Sequence, residues 1–444
     1  MDMLGMYPTW YDPSLGSGWV LGVIAVIHVL ASHTSVGAAL VFAWLATVAY
    51  RRQRPELLEY VRRYGVLLLV FSYVLGSITG PGIWYSATVA SPRGISALIH
   101  SYVWIWATEW VFFVGEVVGI YALVYLAGKI DQKTHLKLTG FFAIASWCTM
   151  LITVGILSFM MWPGQQAWYT EGGTLNGFYG PYTFGQVITR TAFMLMCAAV
   201  VGGIVASRIA EAEFRKEMTR KLAVLGIVAA VALFLGMQWT FTTLPEHARE
   251  IMAARLPEWF LPSLWAVFGV TIAYFALTWA VPKVLTPWVA AGMALAIMLF
   301  GIWPEETSRE SMRKPWIAGQ YVYSNQVIGR DVPAVGLKSE VPALQARGML
   351  AMHPFVPAHL RQVTEANRPE AGRALALIYC SNCHNLGHSG IRPLKKLTDG
   401  MDESALAGFI SGALATGSMA HMPHMPMSEA EAGALAHFLT TVSR

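Results

Sequence analysis

GWVLGVIAVIHVLASHTSVGAALVFAWLATVAY, residues 18–50, followed at once by Arg51-Arg52-Gln53-Arg54, decides the fold of this chain. The run holds no Asp, Glu, Lys or Arg. It exceeds the roughly 20 residues, at ~1.5 Å each, that carry a helix across a bilayer. Seven more apolar runs follow, near 62–87, 97–127, 137–161, 183–207, 219–243, 262–281 and 287–303, with Pro282 and Pro287 marking a tight turn between the last two. The expected fold is all-α: a polytopic bundle of about eight transmembrane helices. Composition points the same way, since only 13% of residues are charged against roughly 25% in an ordinary soluble domain. The 17 Trp residues suit lipid–water interfaces. A simple soluble enzyme is excluded. The net charge of +5 is modest and reads as loop charge, so no nucleic-acid partner is expected. No Lys or Arg precedes the first run and no small-residue cleavage site follows it, so it does not read as a removable signal peptide.

Basic residues set the orientation. Arg51, Arg52, Arg54, Arg62 and Arg63 follow the first run; Lys129, Lys133 and Lys137 the third; Arg208, Arg215, Lys216, Arg220 and Lys221 the fifth; Lys283 the seventh. The alternate loops hold only Arg93, then none, then Arg249 and Arg255. The positive-inside rule makes the rich loops cytoplasmic. The N-terminus and everything after residue 304 are then outside, which places the chain in a bacterial inner membrane with a periplasmic C-terminal part. Residues 317–370 read as an extracytoplasmic linker. Residues 371–444 read as a small helical domain.

Cys380-Ser381-Asn382-Cys383-His384 is a C-x-x-C-H motif. Two thiols at this spacing can bond the two vinyl groups of a haem, and the adjacent His becomes an iron ligand. The apolar stretch Ala374–Tyr379 leads into it. Gly417–Met427 supplies several Met residues, and Met422 before Pro423 is the leading second axial ligand, with Met425 next. His421 and His424 are rivals or solvent-facing residues. Ser428 and Glu431 form a capping-box pattern for a final helix. A zinc or redox C-x-x-C is disfavoured by the immediate His, the Met-Pro tail and the outside location. The other two cysteines, Cys148 and Cys197, lie in apolar runs, so no disulfide framework is implied. The domain is therefore expected to be a cytochrome c carrying one covalent haem c.

Ionisable side chains inside a span are costly and are functional candidates. His28 and His33 lie in the first run, five residues apart and so on different helix faces. His100 opens the third run. Glu109 and Glu116 follow at i, i+7 on one face, suited to a proton route or a haem-propionate environment. Arg190 sits in the fifth run, either as a propionate anchor or snorkelling outward. Glu310 and Arg313 fall just beyond the eighth.

Taken together, these positions resemble subunit I of the cytochrome bd quinol oxidases. Met312-Arg313-Lys314-Pro315-Trp316 is similar to that family's Gly-Arg-Gln-Pro-Trp motif, and Glu310 stands where the family has a haem-ligating Glu. His28 resembles the family's first-helix haem ligand. Gly76-Ser77-Ile78-Thr79-Gly80 resembles its second-helix Gly-x-x-Thr-Gly, and Glu109 and Glu116 its third-helix glutamates at a spacing one residue shorter. The resemblance covers about 18–316 and makes residues 1–316 a bd-like domain. It implies one or two non-covalent haems of b or d type held by His28 and Glu310. Arg190 would contact a cofactor, and Glu109, Glu116 and Arg313 would form the catalytic set. A second, homologous membrane subunit is implied as partner.

The departures are as informative. Arg190, in Thr189-Arg190-Thr191, replaces the family's fifth-span His, and no Met stands near Ala266-Val267-Phe268, so the low-spin haem of the family is expected to be missing. The quinol loop is cut to about 244–260, and a haem c domain takes the place of a ninth helix. The expected function is a membrane-bound multihaem oxidoreductase, iron-dependent, passing electrons between a periplasmic haem c and membrane haems. A periplasmic redox protein would be the donor or acceptor and oxygen the candidate terminal acceptor. The alternative is a non-catalytic electron-relay subunit of a larger respiratory complex.

Overall fold

The computed structural model describes residues 4–442. Eight of its helices are long and apolar enough to cross a membrane: α1 (Ser17–Arg52), α2 (Pro55–Ala90), α3 (Pro92–Leu126), α4 (Gln132–Met161), α5 (Pro181–Ala206), α6 (Ala212–Thr243), α8 (Phe260–Ala280) and α9 (Pro287–Arg313). A short helix, α7 (Glu246–Arg255), bridges α6 and α8. Among the described residues the fold is all-α apart from one small antiparallel ribbon, β1 (Trp316–Ala318) with β2 (Val322–Tyr323). The eight-span bundle expected from hydropathy is present.

The eighth span differs from expectation in extent. Its helix does not stop near residue 303 but runs on to Arg313 through a wide π-type turn at Met298–Ile302. Glu310 and Arg313 are therefore in the last turn of a continuous helix. Hydropathy missed this because Trp303–Arg313 is a polar, strongly amphipathic segment whose helical character lies in its pattern, not its apolarity.

Helix α1 is the central element, packed against α2, α4 and α5. Its closest approach is at Gly37, where a Cβ would lie 1.9 Å from the Met194 carbonyl oxygen of α5. Small residues at such crossings let membrane helices gain van der Waals contact where lipid supplies no hydrophobic drive.

The two ends of the bundle segregate as the loop charges imply. At one end Arg54 pairs with Glu217 at 2.7 Å, and Arg220 Nε donates to the Trp279 carbonyl at 3.1 Å. The other end carries the N-terminal segment, the 162–180 connection, α7 and the chain after 313. Here Ile317, Ala318, Tyr321 and Val322 of the ribbon pack with Tyr102, Phe159 and Trp168 of the bundle end. Arg93 at the α2–α3 corner is buried and binds Glu340 through Nη1 and Nη2, at 2.8 and 2.6 Å. It also donates to the Leu4 and Gln326 carbonyls.

Removing one partner of a buried pair strands the other. Arg93→Ala is expected to destabilise this end by about 3–5 kcal/mol. Thermal unfolding in detergent, with a lower Tm and earlier release of the C-terminal part, checks this.

The C-terminal helices are α10 (Val341–Arg347), α11 (Arg368–Cys380), α12 (Glu403–Leu414) and α13 (Glu429–Val442). They share one apolar core built on Leu344, Leu350, Leu375, Tyr379, Ile410 and Leu435. The capping box opens α13 as its pattern dictates. Ser428 N–H donates to Glu431 at 2.9 Å, and Glu431 N–H donates back to Ser428 Oγ at 3.3 Å. The other Glu431 oxygen accepts from Leu350 N–H at 2.7 Å, so the cap also ties α13 to the segment before α11.

Candidate functional site

The C-x-x-C-H motif begins in the last turn of α11. Cys380 is buried, Cys383 half-buried, and both are free thiols. Burial, and then the neighbouring Cys383, push the Cys380 thiol up to about 12. His384 is buried with Nδ1 2.9 Å from the Arg392 carbonyl oxygen. A carbonyl accepts only, so Nδ1 carries the proton and Nε2 keeps its lone pair, the tautomer a metal ligand needs. Burial first, then the cations Arg255 and Lys314, push the His384 pKa down to about 4. The ring is therefore neutral at physiological pH. Two free thiols and one oriented imidazole are the donor set of a covalent haem, and the residues fit that group.

The 417–427 loop closes over the same core. Met425 and Met427 are buried in it, and Met419 and Met422 pack against its edge. His424 Nε2 donates to the Ala415 carbonyl at 2.9 Å. His421 is half-buried, and its carbonyl accepts from Arg255 at 3.0 Å.

The motif faces the membrane bundle. Asn382 Nδ2 donates to the Ser324 carbonyl at 2.8 Å, and the Cys383 thiol meets Ser324 Oγ at 3.5 Å. Ile391 N–H donates to Leu15 at 2.9 Å, Asn385 to Pro13 at 3.1 Å, and Leu386 N–H to Tyr11 Oη at 3.0 Å. Asn325 donates to the His424 carbonyl at 2.9 Å. The seam thus joins the approach to α1, the turn after β2 and the end of α7. Cys383 lies within electrostatic reach of Arg255 and Arg313.

Within the bundle the sequence candidates fall into three groups. His28 on α1 turns to α2, where its Nδ1 is 3.0 Å from Thr79 Oγ1, itself bonded to the Leu75 carbonyl at 2.8 Å. Nδ1 is taken and Nε2 is left for a ligand role. Glu116 is buried and accepts from Tyr73 Oη at 2.8 Å and Ser35 Oγ at 2.9 Å. Tyr73 reaches it from a π-type turn at Leu69–Val74. Glu109, two turns away, is half-buried on a face bearing exposed Thr108 and Trp110. Arg190 is buried, with Nη1 3.3 Å from His33 Nε2 and Nη2 3.5 Å from Glu305. The two first-helix histidines do turn to different neighbours.

The third group lies at the end of α9. Glu310 pairs with Arg313, and with Lys314 Nζ at 2.7 Å; Glu306 pairs with Arg309. The Glu310 side chain is 45% accessible and that of Glu305 40%. Among the described residues no group of three or more His, Cys, Asp or Glu forms a cage for a bare metal ion. A haem needs none, because its macrocycle supplies four nitrogens and the protein adds one or two axial ligands. His28 with its free Nε2, and Glu310 with its accessible carboxylate, fit that lesser demand. The structure records no contact between His28 and Glu310.

Three residues at the seam were not singled out by sequence reasoning: Arg255, Lys314 and Ser324. Arg255 carried a weak signal, as a cation in an otherwise base-poor outer loop. Lys314 carried another, as the basic residue where the similar motif has Gln. Ser324 carried none.

No protein-family model matches the sequence, and no curated protein matches it. Among solved structures, the fold is similar to that of the bd oxidase from Geobacillus thermodenitrificans. The TM-score is 0.57 at 17% sequence identity, over 70% of this chain and 89% of that one. The chain therefore has a bd-oxidase-like membrane fold.

Proposed function

We propose that this protein is a membrane-bound electron-transfer oxidoreductase. One haem would be covalently held by Cys380, Cys383 and His384, and one or two non-covalent haems would be held in the bundle by His28 and Glu310. The observation that carries the reading is the seam: the C-x-x-C-H motif is held against the turn after β2 and the approach to α1, within electrostatic reach of Arg255, Arg313 and Lys314 at the end of the bundle. When bound, the haems supply one-electron chemistry. The chain's own residues do the rest.

Tyr379 Oη bonds the Pro426 carbonyl, fixing the Met loop over α11. Met422 is the proposed second axial ligand and Met425 its rival. Thr79 orients His28. Glu109 and Glu116 are the proposed proton carriers, Glu116 being held by Tyr73 and Ser35. Arg190, in contact with His33 and Glu305, stands at the position that the resemblance assigns to a low-spin haem ligand, and the proposal includes no low-spin haem there. Residues 1–316 would form the bd-like domain, 317–370 the linker and 371–444 the cytochrome c domain, on the periplasmic side of an inner membrane.

A second membrane subunit is part of the proposal. Trp84, Tyr85, Trp104, Trp110 and Val111 are exposed on α2 and α3, and Glu109 stands half-open on the same surface. A carboxylate facing lipid is costly, so a protein partner is the better cover. A periplasmic redox protein would exchange electrons with the C-terminal domain.

Thr79→Val keeps the shape at α2 but leaves His28 Nδ1 unpaired. Loss of such an orienting bond typically weakens metal binding about 10–100-fold. Titration of the variant with haem, followed by absorbance, is expected to show that weakening. The function itself is tested by oxygen uptake of the purified protein with an artificial donor. Cyanide-sensitive uptake supports a terminal oxidase. Its absence at full haem loading favours the relay reading, in which electrons pass to a larger complex.

A further inference from the structure

Charge at the membrane end nearest the C-terminal domain does not balance, and the imbalance is local. Arg190 and Arg309 are matched by Glu305 and Glu306. At the seam three cations, Arg255, Arg313 and Lys314, face a single carboxylate, Glu310. Arg313 and Lys314 are buried, and Arg255 is half-buried. The Nε atoms of Arg255 and Arg313 are buried without any hydrogen-bond partner. Buried guanidinium N–H groups left unpaired are costly. Burial pulls the Arg255 pKa below its ordinary value, while Glu310 and Cys383 oppose that.

We infer that Arg255, Arg313 and Lys314 form a dianion site at the seam, built to hold the two propionate carboxylates of one haem. The inference rests on the proposed haem content. Two carboxylates would cancel the surplus of two positive charges and supply acceptors for both orphan Nε–H groups. Planar guanidinium donors suit carboxylates. Arg255 reaches the seam from α7 and also holds the His421 carbonyl at 3.0 Å. It therefore joins the bundle to the Met loop of the C-terminal domain. Either the covalent haem or the membrane haem could present the carboxylates, and the experiment separates them.

The test is a redox titration of the purified full chain, with covalent and non-covalent haem followed by their separate absorption bands. The variants are Arg255→Gln, Lys314→Gln and the double variant. A cation beside a propionate favours the reduced iron, so its loss should lower that haem's potential. At a fixed electrode potential the oxidised-to-reduced ratio is expected to rise about tenfold in the double variant, a shift of about 59 mV for one electron. The band that shifts identifies the haem.

Arg255→Lys keeps the charge and should restore most of the potential if the double variant accumulates poorly. Asn325→Ala removes a seam hydrogen bond but no charge. A shift there equal to that of the charge variants would mean altered docking, and would overturn the site. Unchanged potentials in both bands, at full haem content, would also overturn it. If no non-covalent haem is found, the membrane part of the functional reading fails, while a shift of the covalent haem would still establish the site.

Discussion

Cys380→Ser with Cys383→Ser is expected to abolish covalent haem while leaving the membrane bundle intact. The thiols are the only two among the described residues at this motif, and both are free. Without thioether bonds a haem would depend on His384 and one Met alone. The bundle core is built from residues of α1–α6, α8 and α9 and does not include α11. The variant should therefore insert and accumulate. It should lose haem stain after denaturing electrophoresis and fall to background in reduction by a periplasmic donor. Retention of stain in the double variant would refute the attachment. A single Cys383→Ser should keep one thioether, because Cys380 is anchored in α11 and packed in the C-terminal core. It should stain weakly and lose more haem on acid extraction.

His28→Ala and Glu310→Gln carry the second large effect: loss of non-covalent haem at unchanged covalent haem. His28 has one ring nitrogen committed to Thr79 and the other free. Ala removes the ligand, and no other His stands beside it on α1 except His33, which turns to Arg190. Glu310→Gln removes the anion that Arg313 and Lys314 share, which leaves two buried cations without it. Accumulation must therefore be controlled. The covalent haem provides the control, since its stain reports folded, matured chain. Non-covalent haem per covalent haem is expected to fall several-fold in each variant. A wild-type ratio in both would show that neither residue holds iron.

How much of this was legible in the sequence depends on what kind of physics wrote each part. The spans were legible because lipid demands about 20 apolar residues each, and no context overrides that. The end of α9 was not, because Trp303–Arg313 continues a helix with polar residues that packing, not lipid, shelters. C-x-x-C-H was visible as a local motif, and the Ser428–Glu431 cap was legible as a local hydrogen-bonding pattern. The seam was hidden. Arg255 and Cys383 are 128 residues apart in sequence, and only the tertiary fold brings them within electrostatic reach. Arg190 was legible as a costly buried cation, but its partners His33 and Glu305 come from two other helices.

One measurement bears most directly on the claim that a docked covalent haem serves haem held in the membrane bundle: pyridine haemochrome analysis of the purified full chain, counting c-type and non-covalent haem per polypeptide. One c-type haem together with one or two non-covalent haems is the predicted result. A single c-type haem with nothing else bound would contradict it, leaving a tethered cytochrome on an eight-helix anchor.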